Sequence, residues 1–336
     1  MNLLINSNAK QIPLADGSVN CVITSPPYYG LRDYGVDGQI GLEQTPAEYV
    51  TNLVQVFREV WRVLRDDGNV WLNLGDSYAG NMSRASNGGR AGYGTPREGI
   101  FSRGGEGIKD KDLIGIPWSV AFALRDDGWY LRQDIIWAKP NPMPESVKDR
   151  CTKAHEYVFL LTKSARYYYD YEAVLEPATG FDGRKDTKMK GSDKYANGSV
   201  PNQQPQTVAV KGHERWTHTL TTGATGEPHS GYLNPDGSLR VHLKDGVPAR
   251  NKRSVWTVST KPYKGAHFAT FPPKLIEPMI LAGCPKGGVV LDPFVGSGTT
   301  VMVANQLGRQ GIGIDLNPKY LKLAQERVKE VQPILI

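Results

Sequence analysis

Cysteine is scarce in this sequence, and the few cysteines lie far apart. The 336 residues contain three, at positions 21, 151 and 284, and no Cys-x-x-Cys spacing occurs. That pattern argues against a zinc site built on paired cysteines and against a disulfide framework. We therefore expect no metal centre and a reducing compartment.

Long apolar runs are missing as well. No window approaches the roughly 18 consecutive apolar residues that cross a bilayer. The amino-terminal sequence, Met-Asn-Leu-Leu-Ile-Asn, lacks the basic residues and the long apolar stretch of a secretory signal. These two absences predict a cytoplasmic protein without a membrane partner.

The charge balance is modest rather than extreme. Lysine and arginine number 40 against 34 aspartates and glutamates, which gives a formal net charge of +6. A nucleic-acid partner is compatible with this excess, and so is a plain basic surface in solvent. Charge alone leaves both interpretations open.

What the sequence does contain is an alternation of short apolar strands and amphipathic helices, typical of an α/β fold with a parallel sheet. Thr45-Pro46-Ala47-Glu48 has the residues of a capping box with proline at the first helical position. That helix is predicted to end at Asp66-Asp67-Gly68, and Tyr167-Tyr168-Tyr169 is predicted to extend an edge of the sheet. Strands are predicted near residues 3–5, 19–24, 70–74, 129–137, 155–162, 255–259, 289–291 and 311–314. Further helices are predicted at 117–124, after 271, at 299–307 and at 318–331.

Two segments break this periodicity. Residues 79–112 are rich in glycine, serine and arginine, which predicts either a solvated loop or a mobile basic arm that follows a phosphate backbone. Residues 172–254 are rich in Gly, Asn, Gln, Thr and Lys, and we interpret them as a small, irregular inserted lobe, with a solvated surface insertion as the alternative.

The first motif that carries chemistry is Ser25-Pro26-Pro27-Tyr28, directly after the predicted strand Val19–Thr24. The two prolines stop a helix and remove two backbone donors, so a rigid corner carries one hydroxyl and one phenol. Open α/β sheets hold their ligands at the carboxyl ends of strands. The alternative, a plain Pro-Pro turn, is the better interpretation of this motif taken alone.

The second motif runs from Asp292 to Thr300, where a strand passes through Gly296-x-Gly298 into a helix. Such glycines let the backbone approach a ligand at a helix N-terminus. Asp315 follows about 20 residues later at the end of the next strand, where Rossmann-type sites hold a ribose.

Two common ligands fit this second motif poorly. A dinucleotide site lacks its third glycine here, and a phosphate loop lacks the lysine that follows the glycines. Two carboxylates, Asp292 and Asp315, would repel a pyrophosphate but suit a ligand with an ammonium group and a ribose. S-adenosylmethionine has both groups.

Taken together, the two motifs resemble those of the DNA amino-methyltransferases of the circularly permuted β group, in which the Ser/Asp-Pro-Pro-Tyr motif precedes the cofactor motif. Trp137 to Asn141 and His155 to Phe159 resemble the middle motifs of that family. The resemblance implies a Rossmann-like class I methyltransferase fold with a mainly parallel seven-stranded sheet. It also implies a catalytic half at 1–171, a target-recognition lobe at 172–254 and a cofactor-binding half at 255–336.

The family pattern assigns a role to individual positions. It implies catalysis by Ser25, Pro26, Pro27 and Tyr28. It implies that S-adenosylmethionine is bound by Asn8, Phe271, Asp292, Pro293, Phe294, Gly296, Ser297, Gly298, Thr299 and Asp315. Contacts with DNA are expected from Arg84, Arg90, Lys139, Arg215 and Arg253. One departure concerns the first strand, which is followed by Asn6-Ser7-Asn8 where the family usually has an acidic residue.

The chemistry that the resemblance implies is direct methyl transfer to an exocyclic amine of a base. The Ser25 hydroxyl and the Pro26 carbonyl would accept hydrogen bonds from the amine and localise its lone pair. The target base must leave the duplex to be reached, and Tyr28 is the predicted stacking platform. The Pro-Cys pair of carbon-5 cytosine enzymes is not part of this pattern, so no covalent intermediate is expected.

The identity of the target stays open at this level. Serine in the first position favours N4 of cytosine, and some N6-adenine enzymes also carry serine. Further alternatives are an RNA or protein methyltransferase and a non-catalytic DNA-binding module. The expected partners are double-stranded DNA, a second copy of the chain and a cognate restriction endonuclease, in a bacterial, archaeal or phage-encoded system.

Overall fold

The computed structural model describes residues 3–81, 102–103, 107–177, 242–244, 247–260 and 272–329. It divides into two compact units, one formed by Met1–Ala173 with Arg253–Ile336 and the other by Val174–Lys252. The larger unit is built on one twisted sheet, and the smaller unit occupies almost the same span as the predicted lobe.

The main sheet has eight strands. They are β1 Leu3–Asn6, β2 Val19–Thr24, β3 Leu64–Leu74, β4 Tyr130–Ala138, β5 His155–Thr162, β6 Val255–Thr257, β7 Val289–Asp292 and β8 Gln310–Asp315. Their order across the sheet is β1-β8-β7-β2-β3-β5-β4-β6. Neighbours are parallel, apart from β5, which is antiparallel to both β3 and β4. The predicted fold class is confirmed, with β6 making eight strands where seven were expected.

Five helices accompany this sheet within the described ranges. They are α1 Pro46–Val63, α2 Ile116–Asp126, α3 Pro273–Gly283, α4 Thr299–Gln306 and α5 Pro318–Lys329. The predicted capping box at the start of α1 is present, because the Thr45 hydroxyl accepts from the Glu48 N–H and the Glu48 carboxylate accepts from the Thr45 N–H. None of the described helices is both long and apolar enough to span a bilayer.

Two local predictions were wrong. Helix α1 ends at Val63 rather than at 66–68, because Leu64 adopts an extended conformation and already begins β3. Val19 of β2 pairs with Leu64 across the sheet, so tertiary pairing overrides the local Asp-Asp-Gly stop signal. Tyr167–Tyr169 is not a strand; the Tyr168 N–H instead bonds to the Asp67 carbonyl as part of a loop.

Short elements complete the description. Strand Gly80–Asn81 pairs antiparallel with Ser102–Arg103, and a 3-10 turn covers Glu172–Val174. In the smaller unit Val247–Arg250 pairs antiparallel with Glu176–Pro177 on one side and His242–Lys244 on the other.

The sheet order brings distant parts of the chain together. Strand β7 lies between β2 and β8, so the carboxyl ends of these three strands are adjacent. Thr24, Asp292 and Asp315 end the three strands. The two sequence motifs therefore meet at the carboxyl-terminal ends of these strands, where open α/β sheets bind ligands.

Candidate active site

The Ser25–Tyr28 segment forms a rigid corner at the end of β2. Pro26 is buried, whereas Ser25, Pro27 and Tyr28 are half-buried. The Tyr49 hydroxyl, on α1, donates to the Pro27 carbonyl oxygen at 2.8 Å. The corner is thus held by its own prolines and by a buried tyrosine of α1.

The Tyr28 side chain is fixed at both ends. Its hydroxyl donates to Glu156 Oε2 at 2.6 Å and lies 2.6 Å from Asn73 Nδ2, while its ring packs on Gly75. A Cβ at Gly75 would lie 2.5 Å from Tyr28 Cε2, so only glycine allows this approach. Burial raises the pKa of Tyr28 well above its ordinary value, and the negative charge of Glu156 adds to the increase. Tyr28 is therefore a neutral phenol at physiological pH.

Glu156 connects the side chains of Tyr28, Asn73 and Lys139. Its Oε2 accepts from Asn73 Nδ2 at 2.9 Å, and its Oε1 forms an ion pair with Lys139 Nζ. The Lys139 and Glu156 side chains are 18% and 14% exposed. Lys139 Nζ also lies 4.4 Å from the centroid of the Trp137 ring. We call Ser25, Tyr28, Asn73, Lys139 and Glu156 the corner network.

Asn73 places a buried amide oxygen beside the corner. Its side chain is 2% exposed, and its Oδ1 has no hydrogen-bond partner within the described ranges. The amide orientation is fixed because its nitrogen faces the Glu156 carboxylate, which only accepts. A buried unpaired acceptor costs about 1–3 kcal/mol. Asn73 Nδ2 lies 3.4 Å from Ser25 Oγ, so this amide belongs to the immediate surroundings of the corner.

The second motif forms a cradle around two carboxylates. Asp292 is 3% exposed and accepts from the Thr24 hydroxyl at 2.8 Å, the Thr300 hydroxyl at 2.7 Å and the Phe294 N–H at 3.1 Å. Burial raises the pKa of Asp292 to about 6 and outweighs these hydrogen bonds. Asp292 thus joins the strand that leads into Ser25 to the helix that follows the glycines.

Asp315 orders the other side of the cradle. Its carboxylate accepts from the Gly296 N–H at 3.0 Å and from the Asn317 N–H at 2.8 Å. Burial raises the pKa of Asp315 above its ordinary value. Gly298 has a positive φ of 81°, and a Cβ there would lie 2.9 Å from Ala324 Cβ on α5. We call residues 292–300 with Asp315 the glycine cradle.

One cavity connects the corner to the cradle. Predicted site residues on its wall are Asn8, Ser25, Pro27, Pro293, Phe294, Gly296, Ser297 and Asp315. Further lining comes from Ala9, Tyr34, Val36, Gly38, Gln39, Ile40, Leu316, Asn317 and Tyr320. Tyr34 and Tyr320 meet edge to face, with ring centroids 6.1 Å apart.

The residues of this cavity fit S-adenosylmethionine. Aromatic and aliphatic side chains provide apolar surface of the kind that an adenine ring packs on, and the Asp315 carboxylate has the chemistry to accept from ribose hydroxyls. Asn8 lies on the wall, and its Oδ1 accepts from the Lys10 N–H at 2.9 Å. The site can thus hold an adenosine at the cradle while Ser25 faces the same space.

The remaining predicted residues lie elsewhere. Asp292, Gly298 and Thr299 are packed behind the cavity wall; the Thr299 hydroxyl accepts from Arg327 Nη1 at 2.8 Å. Arg253 is described, and its carbonyl accepts from Trp256 Nε1. Phe271, Arg84, Arg90 and Arg215 lie outside the described residues. The functional roles of all these positions stay predictions.

Sequence reasoning missed several neighbours of the site. Tyr34 and Tyr320 lie in a loop and a helix with no motif of their own. Asn73 gave one usable signal, since it is a polar residue inside the apolar run Val70–Leu74. Glu156 lies in a segment that resembles a family motif, but no role was assigned to it.

Comparisons with known proteins identify one family. A family model described as DNA methylase matches residues 19–326. The Type II methyltransferase M.Cfr9I of Citrobacter freundii is 43% identical over 323 residues, covering 94% of this chain and 83% of that protein. The Type II methyltransferase M.SmaI of Serratia marcescens is 44% identical over 315 residues, covering 92% and 84%.

Solved structures share the fold. The PvuII DNA methyltransferase, which is described as cytosine-N4-specific, has a TM-score of 0.57 at 18% identity and covers 96% of this chain and 85% of that one. The TTHA0409 protein of Thermus thermophilus, in complex with S-adenosyl-L-methionine, has a TM-score of 0.53 at 21% identity, with 98% and 94% covered.

Proposed function

Because this chain belongs to the DNA methylase family, as a site-specific DNA amino-methyltransferase that uses S-adenosylmethionine, we propose that it methylates the exocyclic N4 of cytosine. The observation that supports transfer to an amine at this site is a cavity lined by both Ser25 and Asp315, residues 290 positions apart in the chain. The cradle residues would hold S-adenosylmethionine and the corner residues would hold the amine, on the walls of the same cavity.

The bound cofactor supplies a methyl group activated by a sulfonium. The protein supplies position and hydrogen-bond acceptors. An exocyclic amine is a weak nucleophile because its lone pair is delocalised into the ring of the base. The Ser25 hydroxyl oxygen and the Pro26 carbonyl accept from the amine and localise that lone pair, and the rigid corner keeps both oxygens in place.

The choice of cytosine rests on Ser25. In the family pattern serine at this position favours N4-cytosine transfer, whereas aspartate is usual for N6-adenine transfer. Adenine N6 is the second candidate, because some adenine enzymes carry serine as well. The target base is expected to leave the duplex and stack on Tyr28.

The deciding experiment is mass spectrometry of nucleosides from DNA treated with the enzyme and S-adenosylmethionine. We expect N4-methylcytosine; N6-methyladenine alone would overturn the base assignment. The Ser25→Ala variant is expected to lose transfer while it keeps DNA binding. Tritium from labelled cofactor that appears only in RNA or protein would overturn the DNA substrate itself.

We also propose that residues 172–254 select the target sequence. Exchange of this segment for that of a relative is expected to change the methylated sequence, and an unchanged sequence preference would contradict the assignment. The predicted homodimer and the cognate restriction endonuclease stay predictions.

A further inference from the structure

The hydrogen bonds that start at Ser25 run in one direction through the corner network. Ser25 Oγ donates to the Tyr28 hydroxyl oxygen at 3.4 Å, and the Tyr28 hydroxyl donates to Glu156 Oε2 at 2.6 Å. The other oxygen of Glu156 is in the ion pair with Lys139. The path therefore begins at the predicted catalytic hydroxyl and ends at a carboxylate.

The chemistry of the partners fixes this direction. An ionised carboxylate can only accept, so the Tyr28 hydrogen must point to Glu156. The Tyr28 oxygen then presents its lone pairs to its other neighbours, which are Asn73 Nδ2 and Ser25 Oγ. With its hydrogen on Tyr28, Ser25 Oγ offers the cavity its lone pairs. That is the orientation in which a hydroxyl accepts from an amine.

Methyl transfer to an amine also releases a proton. As nitrogen gains its bond to carbon and the S–C bond breaks, the electron pair of that bond goes to sulfur and the nitrogen carries an extra proton. That proton must leave for the amine to become neutral. Ser25, half-buried at the corner, is the first acceptor in reach of the position that the proposed function gives to the amine.

We propose that Ser25, Tyr28 and Glu156 form a proton relay that takes up this proton, with Glu156 as the terminal acceptor. The inference rests on the proposed function, which places the amine at Ser25. The amine proton passes to Ser25 Oγ, the Ser25 proton passes to the Tyr28 oxygen, and the Tyr28 proton passes to Glu156 Oε2. Ser25 and Tyr28 end neutral as they began, and Glu156 becomes a carboxylic acid.

The surroundings of Glu156 suit a temporary acceptor. Lys139 pairs with it, Lys153 interacts with it electrostatically, and Asn73 donates to it. These contacts place two ammonium groups and an amide N–H around the carboxylate. The side chain is 14% exposed, which gives the proton a way out to solvent. Glu156 is thereby reset for the next turnover.

The test compares Glu156→Gln and Tyr28→Phe with the wild type in single-turnover methyl transfer to duplex DNA. A glutamine amide donates to the Tyr28 oxygen and reverses the path, whereas phenylalanine keeps the ring on Gly75 but removes the relay hydroxyl. We expect each variant to lose about 100-fold in rate. Their affinities for DNA and for S-adenosylmethionine are expected to change less than about threefold.

A readout independent of turnover is the ionisation of Tyr28, followed by NMR with ¹³C-labelled tyrosine and assigned with the Tyr28→Phe variant. Loss of the neighbouring negative charge in Glu156→Gln is expected to lower the pKa of Tyr28. The matched control is Glu59→Gln, which removes a carboxylate paired with Arg62 on α1 and lies outside the network. Glu156→Asp, which keeps the acceptor, is expected to recover part of the rate.

Four results would contradict either the relay or the proposed function. If the wild type methylates DNA and Glu156→Gln keeps its rate within about threefold, the relay is wrong. The relay is also wrong if the rate of methyl transfer falls together with the affinities for DNA and S-adenosylmethionine, because a structural defect would give that result. If Glu156→Gln does not fold, Tyr28→Phe decides in the same way. If the wild type methylates no DNA, the proposed function fails instead.

Discussion

The corner network, through Ser25, and the glycine cradle border one cavity but are built in different ways. The cradle comes mostly from one part of the chain, residues 292–300 with Asp315. Its carboxylates accept from three backbone N–H groups, from the Thr300 hydroxyl and, as one distant partner, from the Thr24 hydroxyl on β2. The corner is assembled from side chains that follow β2, lie on β3, follow β4 and lie on β5. The cradle is thus a local structure and the corner a tertiary one.

The difference extends to electrostatics. Glu156 in the corner has a lysine counter-ion, whereas burial raises the pKa of both cradle carboxylates. We infer that the cradle is arranged to hold a ligand and the corner to direct hydrogens and protons. Changes in the cradle should therefore alter stability and cofactor affinity, and changes in the corner should alter rate.

The largest effect in the cradle is expected from Asp292→Asn. A pKa raised from 3.8 to about 6 means that the folded state binds this proton more tightly than the unfolded chain. The free energy of unfolding should therefore fall as pH rises from about 4 to about 6, by at most about 3 kcal/mol from this group. Asparagine removes the titration, so the variant should lack this part of the fall.

Urea unfolding between pH 4 and pH 7.5 measures this effect. Asp37→Asn, a change at an exposed aspartate, is the control and should keep the pH dependence of the wild type. An Asp292→Asn variant with the same pH dependence as the wild type would show that burial does not hold the proton on Asp292.

The next prediction compares the loss of stability caused by alanine at two glycines of the cradle, Gly298 and Gly296. At Gly298 an alanine Cβ meets Ala324 Cβ at 2.9 Å in a backbone with positive φ, so α4 and α5 must move apart. We expect Gly298→Ala to lower the free energy of unfolding by about 2–3 kcal/mol. At Gly296 the nearest atom is 4.0 Å away, so Gly296→Ala carries only the strain of its φ of 48°, about 1 kcal/mol.

Calorimetric or denaturant unfolding of the two variants provides the measurement. Equal losses would mean that backbone strain, and not the contact between α4 and α5, sets the requirement for glycine at 298. Cofactor affinity measured on the folded variants then shows whether the helix packing also shapes the cavity.

This contrast explains what could be predicted from the sequence. Strands β2, β7 and β8 and the glycine loop follow from local signals, because apolar runs, glycines and a terminal aspartate are adjacent in the chain. The capping box of α1 at Thr45 and Glu48 could be predicted for the same reason, because its residues are close together in the chain. The end of α1 was not readable, because the pairing of Leu64 with Val19 decides it.

The corner could be predicted only in part. Ser25 and Tyr28 belong to one short motif, but Asn73 and Glu156 meet Tyr28 only because β5 pairs with β3 in the antiparallel sense, with Asn73 opposite Val158. No spacing in the sequence encodes that register. Tyr34 and Tyr320 likewise reach the cavity through loop and helix packing, which apolar periodicity does not specify.

A change at Asp315 tests the comparison most directly. Asp315→Ala should weaken S-adenosylmethionine binding about tenfold, or about 1.4 kcal/mol, since the acceptor proposed for the ribose hydroxyls is lost. Asp315→Asn keeps one acceptor oxygen for the Gly296 or Asn317 N–H, so it separates loss of the ligand contact from collapse of the loop. Titration calorimetry with the cofactor and anisotropy with duplex DNA provide the two affinities. DNA affinity should stay within about twofold in both variants, the reverse of the pattern expected for Glu156→Gln, which should lose rate and keep affinity. Equal losses of cofactor and DNA affinity in Asp315→Ala would contradict the ribose assignment, and with it the separation between a cradle that binds and a corner that reacts.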